Sequence, residues 1–383
     1  MTRFYFIFIS SLILFFNTNL LGEESEKLKI GLLAPFSGEY ENLGNSLLLS
    51  SQLALNEIGD KNIIIVPRDS GSDDKKKLND SIKDLINQDI KIIVGPIQSN
   101  YFNELEKYKN TIFISLSNKY PEIRSNVISI GISLESQLNI LEKFIKKEKR
   151  KKTLILFPNN NYAEFVENKI KNLKIKNFKV FKYSPDPKIL TGEIQNLTNY
   201  AQRKRNLEFR KKMLEDKEDE QSKKELNYLE QLYTIGNVNF DSIIVIDFGS
   251  SLKSLLTSLV FSDVNENTVL FTTINQWFDE SIFFENTINN LYYPSVDLKE
   301  FQKYNKVYTK TFNSQPNEIT ILSYDAIGLI YFIWKKNKKI SSINDFLIKD
   351  KIRGKIGVFS FKDRKVSQEL KIYRLKDKKF TLY

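Results

Sequence analysis

The stretch that decides the fold is KIGLLAPFSGEYENLG, residues 29–44. It begins as a short apolar run, which is typical of a buried strand, and then turns through Phe36, Ser37 and Gly38 before a helical pattern begins. A strand followed by a small polar turn and a helix is typical of one unit of a parallel α/β sheet. Because ligands of such sheets bind beyond the carboxyl ends of the strands, we expect this turn to face a ligand.

The same alternation of apolar runs and amphipathic runs continues along the chain. Apolar runs predict strands at 28–35, 62–69, 91–95, 112–117, 127–131, 152–158, 179–184, 242–247 and 269–274. Three- and four-residue spacing predicts helices at 44–58, 74–88, 99–109, 134–148, 161–174, 250–261, 298–312 and 317–336. The runs at 356–361, 369–375 and 378–383 predict an antiparallel ending. The pattern indicates an α/β protein with two units in tandem, each a mostly parallel sheet with helices on both faces.

A charged segment at 192–236 interrupts the second unit. It contains no Gly or Pro between its terminal glycines and mixes opposite charges with spaced apolar residues. This composition predicts one long helix or a helical pair. The residues expected to pack it are Leu207, Met213, Leu226, Leu229 and Leu232. The segment is either a solvated surface arm or an arm that docks onto another protein.

Composition excludes many kinds of catalytic site. A chain of 383 residues suits two domains, and it has no Cys and no His. Disulfides, thiolate nucleophiles, Ser-His-Asp triads and histidine-ligated metals are therefore excluded, and we expect no catalytic residues, no cofactor and no metal. The net charge of +11 comes with acids interleaved among the bases, so a nucleic-acid partner is not expected. A carboxylate-dependent periplasmic hydrolase remains a remote alternative.

The amino terminus predicts export. Residues 1–22 read as a signal peptide, because Arg3 precedes an apolar run at 4–16 that is shorter than the ~20 residues needed to span a bilayer. An uncleaved anchor is the alternative. Since no Cys follows the run, lipid attachment there is not expected, and the predicted location is the periplasm.

Small polar residues follow three predicted strands of the first unit. Phe36 and Ser37 follow the first strand, Ser99 follows the third, and Ser117 with Asn118 follows the fourth. Ser99 stands where a helix is predicted to start, so its hydroxyl and the nearby N–H groups are suited to an anion. A single serine in such a position is more often just a helix cap, but the three corners together make a binding cleft as good an interpretation as three caps.

Several segments resemble a known family. KIGLLAPFSGEYENLGNSLLLSSQLALNEI, VPRDSGSD, IIVGPIQS and FISLSNK occur in the order and spacing of the type I periplasmic binding proteins. The best-known members of that family are the leucine/isoleucine/valine-binding proteins. The insertion after YSPDP, then FDSIIVIDFGSSLKSLL and ILSYDAIGLIYFI, resemble most the penicillin-binding protein activator branch, which has the same fold and stimulates peptidoglycan synthases.

The resemblance implies two lobes joined by three crossovers, with a ligand enclosed between them. Lobe 1 would comprise 28–132 and 298–340. Lobe 2 would comprise 133–297 and 341–383, including the helical insertion 192–236. The crossovers are expected near 131–134, 294–298 and 338–345.

The resemblance also implies which residues bind the ligand. Ser99, Ser117 and Asn118 would hold the carboxylate of an amino acid, with Phe36 or Ser37 on the rim. Lobe 2 would contribute Tyr162, Asp247, Asn275 and Trp277. Asp247 is placed to bind an ammonium group, and Asn275 and Trp277 stand where the family usually carries an acid. The alternatives are a helix-face residue for Tyr162, a strand-end cap for Asp247 and a packing role for Trp277.

The favoured function is a non-catalytic periplasmic ligand-binding protein that regulates peptidoglycan synthesis, with a peptidoglycan synthase as partner. The alternative is the substrate-binding subunit of an ABC importer, with a permease as partner and an amino acid or similar small polar solute as ligand. The charged insertion favours the first, and the serine-lined corners suit either.

Overall fold

The computed structural model describes residues 27–119, 126–283, 290–362 and 365–383. The predicted signal peptide at 1–22 lies outside these residues. The chain folds as two compact units. Of the described residues, the first unit holds 27–116, 126–128 and Leu322–Phe346, and the second holds the rest.

The described residues form fifteen strands and eleven helices, besides short 3₁₀ turns. The strands are β1 (Leu28–Ala34), β2 (Ile63–Asp69), β3 (Ile92–Val94), β4 (Ile112–Ser115), β5 (Val127–Ser129), β6 (Thr153–Pro158), β7 (Phe178–Tyr183), β8 (Ser242–Val245), β9 (Leu270–Thr273), β10 (Leu291–Ser295), β11 (Ile352–Gly354), β12 (Gly357–Lys362), β13 (Lys365–Glu369), β14 (Lys371–Lys376) and β15 (Lys379–Leu382). The helices are α1 (Glu41–Ile58), α2 (Lys75–Asn87), α3 (Phe102–Leu105), α4 (Leu134–Lys147), α5 (Ala163–Ile170), α6 (Pro187–Leu197), α7 (Tyr200–Glu215), α8 (Glu220–Glu230), α9 (Gly249–Phe261), α10 (Leu298–Phe312) and α11 (Ile321–Asn337). Within the part of the chain that the structure describes, no helix is both long and apolar enough to cross a bilayer.

The first sheet has the strand order β2-β1-β3-β4-β5. β1 pairs in parallel with β2 and with β3, and β3 pairs in parallel with β4. The register sets Leu28 opposite Ile63 and Ile30 opposite Ile92. The predicted parallel sheet is confirmed, and its parallel strands end at one common edge.

The opening stretch forms the β1-turn-α1 unit. β1 is almost wholly buried, as its apolar run predicts, whereas α1 begins at Glu41, three residues earlier than expected. A Cβ on Gly44 would lie 2.0 Å from the carbonyl oxygen of Pro35, so only glycine lets the helix pass this close to the turn. The helix buries Leu47, Leu53 and Ala54 and ends at Ile58, with Gly59 as its C-cap.

The second sheet has the order β15-β14-β10-β9-β8-β6-β7. The neighbours among β6, β7, β8, β9 and β10 all pair in parallel. β14 pairs antiparallel with β10 and with β15, so the predicted antiparallel ending is confirmed. A third sheet, β11-β12-β13, contains the strand Lys365–Glu369, which the sequence pattern does not predict.

The insertion folds as a short helix followed by a helical pair, α7 and α8. The chain breaks after α6 at Asn199, whose φ of 52° is left-handed. The N-cap of α8 is Asp219, whose carboxylate accepts the Ser222 N–H at 2.8 Å. A small core of Leu207, Leu214 and Leu229 holds the pair together, with partly buried Leu226 and Leu232 against it. The predicted packing role of Met213 is wrong, because that side chain is 48% exposed and Leu214 is buried instead.

Packing of α10 sets the boundary of the second unit. The sequence places 298–340 in the first lobe, whereas in the structure α10 belongs to the second unit. The Leu298 N–H donates to the Tyr373 hydroxyl at 2.8 Å, and Lys371 pairs with Asp297, the N-cap of α10. These bonds fix α10 to β14, which periodicity does not reveal. The lobe boundaries stay a prediction.

A buried guanidinium anchors the helical pair. Arg203 is 6% exposed, and its Nε donates to the Thr198 carbonyl at 3.0 Å. Its terminal nitrogens donate to Thr234 Oγ1 at 3.0 Å and to the carbonyl oxygens of Ser262 and Asp263, just beyond the end of α9. One side chain therefore joins α7 to the loop after α9.

Arg203→Met should lower the free energy of unfolding by about 3 kcal/mol, because buried acceptors lose a charged donor. Arg205→Met, on the exposed face of the same helix, should change it by no more than about 0.5 kcal/mol. Urea titrations of the two variants make the measurement. Equal losses would show that Arg203 is not the anchor.

Candidate functional site

The turn after β1 is held by a carboxylate from β2. Asp69 Oδ1 accepts the Phe36 N–H at 2.9 Å, and its Oδ2 lies 2.5 Å from Lys77 Nζ. The same ammonium group donates to the Ser37 hydroxyl at 2.8 Å, and the Ser37 carbonyl accepts from the Ser72 hydroxyl at 2.9 Å. Phe36 and Ser37, both predicted ligand-binding residues, are thus positioned by contacts inside the first unit.

Asp69 is a residue that the sequence reasoning missed. Burial alone would raise its pKa, but hydrogen bonds from Lys77, the Gly71 N–H, Ser37 and the Phe36 N–H lower the pKa below the ordinary value. The signal available in the sequence was its place at the end of a strand next to β1. The partner lysine lies on α2, at a distance that the pattern does not reveal.

Ser99 lies in the 3₁₀ turn Ser99–Tyr101, beyond β3. The cap position belongs to Gln98, and within the described residues the Ser99 hydroxyl forms no hydrogen bond. The neighbouring Gln98 Oε1 is buried without a hydrogen-bond partner in the described part of the chain. Since β3 pairs with β1, this corner lies at the same sheet edge as the Phe36–Ser37 turn, with two polar groups whose bonding capacity is unused.

Ser117 and Asn118 differ in environment. Ser117 is buried, and its hydroxyl accepts the Lys119 N–H at 3.1 Å. Its carbonyl accepts the Ser129 hydroxyl at 2.7 Å and the Gly131 N–H at 3.1 Å. Asn118 is exposed beside it. Ser117 therefore ties its turn to the chain after β5, and Asn118 is the accessible group of the pair.

Tyr162 stands at the start of α5, beyond β6. Its N–H donates to Asn160 Oδ1 at 2.9 Å, and its ring lies 4.9 Å from the Phe165 ring. The Lys119 ammonium lies 5.7 Å from the centre of the Tyr162 ring, within cation–π range. Burial raises the pKa of Tyr162 to about 12, so its hydroxyl stays protonated at neutral pH.

Asp247 is a buried carboxylate held by neutral donors. It lies two residues beyond β8, is 9% exposed and accepts hydrogen bonds from the Tyr183 hydroxyl and, at 2.8 Å, from the Phe248 N–H. Burial and the adjacent carboxylate raise the pKa of Tyr183, which keeps that hydroxyl a donor. In the described ranges no Lys or Arg forms an ion pair with Asp247. The site therefore suits an added cationic group.

Asn275 and Trp277 form the next corner, beyond β9. The Asn275 N–H donates to Gln137 Oε1 at 2.7 Å, and Asn275 Oδ1 accepts the Trp277 N–H at 2.8 Å. The Trp277 ring lies 6.0 Å from the Phe301 ring, as a packing role requires. Gln276 Nε2 donates to the Asp247 carbonyl at 2.9 Å, so this corner and the Asp247 corner are joined.

Within each unit, the structure brings part of the predicted set together. The first unit holds Phe36, Ser37 and Ser99 beyond paired strands. The second unit groups Asp247 with Asn275 and Trp277, and it sets Tyr162 beside the Ser117–Asn118 turn through Lys119. Sequence reasoning missed two buried supports, Tyr183 and Gln137, because nothing local marks a strand-end tyrosine or a helix glutamine as a partner.

The acidic residues of the described ranges do not form a metal centre. In the described ranges, no group of three or more Asp or Glu residues is placed to hold a metal ion. Of the predicted site residues only Asp247 is acidic, and a strand-end carboxylate of the first unit, Asp69, is already paired with Lys77. The carboxylate pair that a hydrolase needs is not among the predicted site residues.

Sequence comparison gives no relative. No protein-family model matches the chain, and no curated protein matches it either. Comparison of structures does give matches.

The C-domain of LpoA from Haemophilus influenzae, described as a regulator of PBP1A, superposes with a TM-score of 0.61 at 14% identity, over 93% of this chain and 99% of that one. The branched-chain amino acid transporter substrate-binding protein LivJ from Streptococcus pneumoniae, in complex with isoleucine, gives 0.55 at 17% identity over 93% and 99%. A solute-binding protein of an ABC transporter from Rhodopseudomonas palustris, in complex with 3,4-dihydroxybenzoic acid, gives 0.60 at 13% identity over 94% and 96%.

The chain has the type I periplasmic-binding-protein fold. The predicted fold class is therefore confirmed, including the mostly parallel sheets. At these identities the likeness shows the fold alone, and the neighbours include both a regulator and solute-binding proteins.

Asp69→Asn should lower the free energy of unfolding at pH 7 by roughly 1–2 kcal/mol, because it removes the charge that holds Lys77 and the turn. Since the folded pKa of Asp69 is lowered, its contribution is present above about pH 4 and is lost as the pH falls through the folded pKa. The difference between wild type and variant should therefore shrink as the pH falls below about 4, measured by urea unfolding across pH. The exposed Asp80→Asn is the control, and a difference that stays constant with pH would contradict the ion pair.

Proposed function

We propose that this protein is a non-catalytic, extracytoplasmic binding protein that regulates peptidoglycan synthesis by docking its helical arm, α7 and α8, onto a peptidoglycan synthase. The observation that supports this role is a braced arm that presents apolar side chains to solvent. Phe209 is 67% exposed and Met213 is 48% exposed, one turn apart on α7.

The arm has the internal support that a docking surface needs. Its own core and the bidentate contact of Arg210 with Glu225, at 2.7 and 2.9 Å, hold α7 against α8. Arg203 fixes its base. Exposed aromatic and Met side chains are enriched at protein interfaces, and a preformed surface binds without a large ordering cost.

The described surface of α7 also has a charge preference. Arg205 and Lys212 flank Phe209 and Met213 by their spacing on the same face of the helix. A complementary partner surface would carry acidic residues around an apolar pocket. The description of LpoA as a regulator of PBP1A, in a protein of the same fold, supports a synthase as that partner.

The alternative function, delivery of a small polar solute to an ABC importer, is favoured by Asp247. A buried carboxylate held only by neutral donors in the described ranges, beside the corner of Asn275 and Trp277, suits the ammonium group of an amino acid. LivJ holds isoleucine on the same fold.

Phe209→Ala together with Met213→Ala should abolish co-purification with a PBP1A-type synthase, because the apolar contact is lost while the arm core stays intact. Lys204→Ala with Glu208→Ala is the matched control, since it removes two exposed residues of the same helix and leaves the net charge unchanged. If the apolar double variant still co-purifies with the synthase, the arm is not the docking surface.

If Asp247 binds an amino acid, a ligand present at about 100 times its Kd should stabilise the protein by about 2.7 kcal/mol. A thermal-melting screen of the common amino acids makes the measurement. Asp247→Asn should weaken any shift, and Asn103→Ala, at an exposed position of α3, should not. A screen without any shift counts against the transport role and leaves the arm experiment unaffected.

A further inference from the structure

A lysine-lined cavity lies at the amino ends of β1 and β3, in the first unit. Its volume is about 440 Å³, and its lining includes Lys27, Lys29, Lys91 and Lys339 together with Asp89 and Trp334. None of these residues belongs to the predicted ligand-binding set, which stands at the carboxyl ends of the strands. The volume is within the usual range for a small-molecule site.

Strand register places three of the lysines together. Because Ile30 pairs with Ile92 in parallel, the residues one position earlier, Lys29 and Lys91, stand side by side on strands about 4.8 Å apart. Lys27 precedes Lys29 by two residues, which is the repeat of one sheet face. Like charges directly opposite each other on neighbouring strands are destabilising.

Few acidic groups of the described residues neutralise these lysine charges. Asp89 lies 3.8 Å from Lys91 with its side chain 84% exposed, and Lys29 Nζ donates to the Gln88 carbonyl at 3.2 Å. Lys27 and Lys339 form no ion pair within the described ranges. The arrangement therefore concentrates positive charge in a cavity, which favours an anion that approaches from solvent.

One wall of the cavity is a flat ring. Trp334, on α11, is partly buried, and its ring lies 6.1 Å from the Tyr331 ring. Lys335 Nζ lies 5.2 Å from the Trp334 ring on this helix, but it is already paired with Asp60 at 2.8 Å. The cavity thus combines several weakly compensated ammonium groups with an apolar face.

We propose that this cavity binds a phosphate group carried by a small ligand. A sugar phosphate is a monoester with up to two negative charges and three terminal acceptor oxygens, and a phospholipid headgroup is a diester with one negative charge and two such oxygens. Either group can engage more than one ammonium group, and lysine binds phosphate as a point charge. The Trp334 ring packs against the sugar or glycerol that carries the phosphate. The carrier is either a soluble sugar phosphate or the headgroup of an anionic phospholipid, which share this chemistry.

Titration calorimetry with glucose 1-phosphate and with inorganic pyrophosphate tests the soluble source, and sedimentation with phosphatidylglycerol vesicles against phosphatidylcholine vesicles tests the lipid source. Lys91→Gln and Lys339→Gln should each weaken, by about tenfold or more, the binding of whichever probe binds to the wild-type protein. Lys109→Gln, an exposed lysine of the same unit outside the cavity, should leave binding unchanged. Circular dichroism and melting curves confirm that each variant is folded.

Binding of either source with the expected lysine dependence supports the proposal and identifies the carrier. The absence of binding by all probes, or equal weakening by Lys109→Gln, overturns it. Trp334→Leu should weaken the binding of glucose 1-phosphate more than the binding of pyrophosphate. Equal weakening of the two would overturn the proposed role of the ring. The result is independent of the proposed function, because no residue of the arm or of the predicted ligand-binding set is altered.

Discussion

Parallel strand pairing is the constraint on which the other features depend. When β1 pairs in parallel with β2 and β3, the carboxyl ends of all three strands lie on one side of the sheet and their amino ends lie on the opposite side. The turns with small or polar side chains follow the carboxyl ends of the strands. Lys29 and Lys91 lie at the amino ends of β1 and β3, where the strand register places them next to each other. The same pairing rule therefore produces a candidate site at one edge and an electropositive cavity at the opposite edge of the same sheet.

Two strand-end carboxylates show how environment separates a structural role from a binding role. Asp69 has a lysine at 2.5 Å and two backbone donors, so its charge is neutralised and its hydrogen-bonding capacity is used within the turn. Asp247 is more deeply buried and, within the described ranges, has only neutral donors. Burying a carboxylate without an opposite charge is costly, and a cationic group of a ligand can supply that charge. This difference is the physical reason to prefer Asp247 over Asp69 as a binding residue.

The sequence predicts the elements well where one periodicity dominates. The runs LKIGLLA and TLILFP are buried strands, as their unbroken apolar character indicates. It predicts less where a single residue changes the backbone or where the partner is distant. Asn199 breaks the insertion through a left-handed φ, which no charge pattern reveals, and Met213 and Leu214 exchange roles because neighbouring helix positions face different sides. Of the candidate site, the corner residues were predictable from strand ends, whereas their supports, Lys77 and Tyr183, come from other elements.

The arm and the Asp247 corner are connected by one helix. α9 begins two residues after Asp247, and the carbonyl oxygens just beyond its end accept hydrogen bonds from Arg203, the anchor of the arm. A helix of 13 residues spans about 20 Å, so α9 has the Asp247 corner at one end and the contacts of Arg203 just beyond the other. A ligand at Asp247 changes the arm only if it binds two arrangements of this helix with different affinity. Of the two proposed functions, solute binding would therefore act at one end of α9 and partner docking beyond the other end.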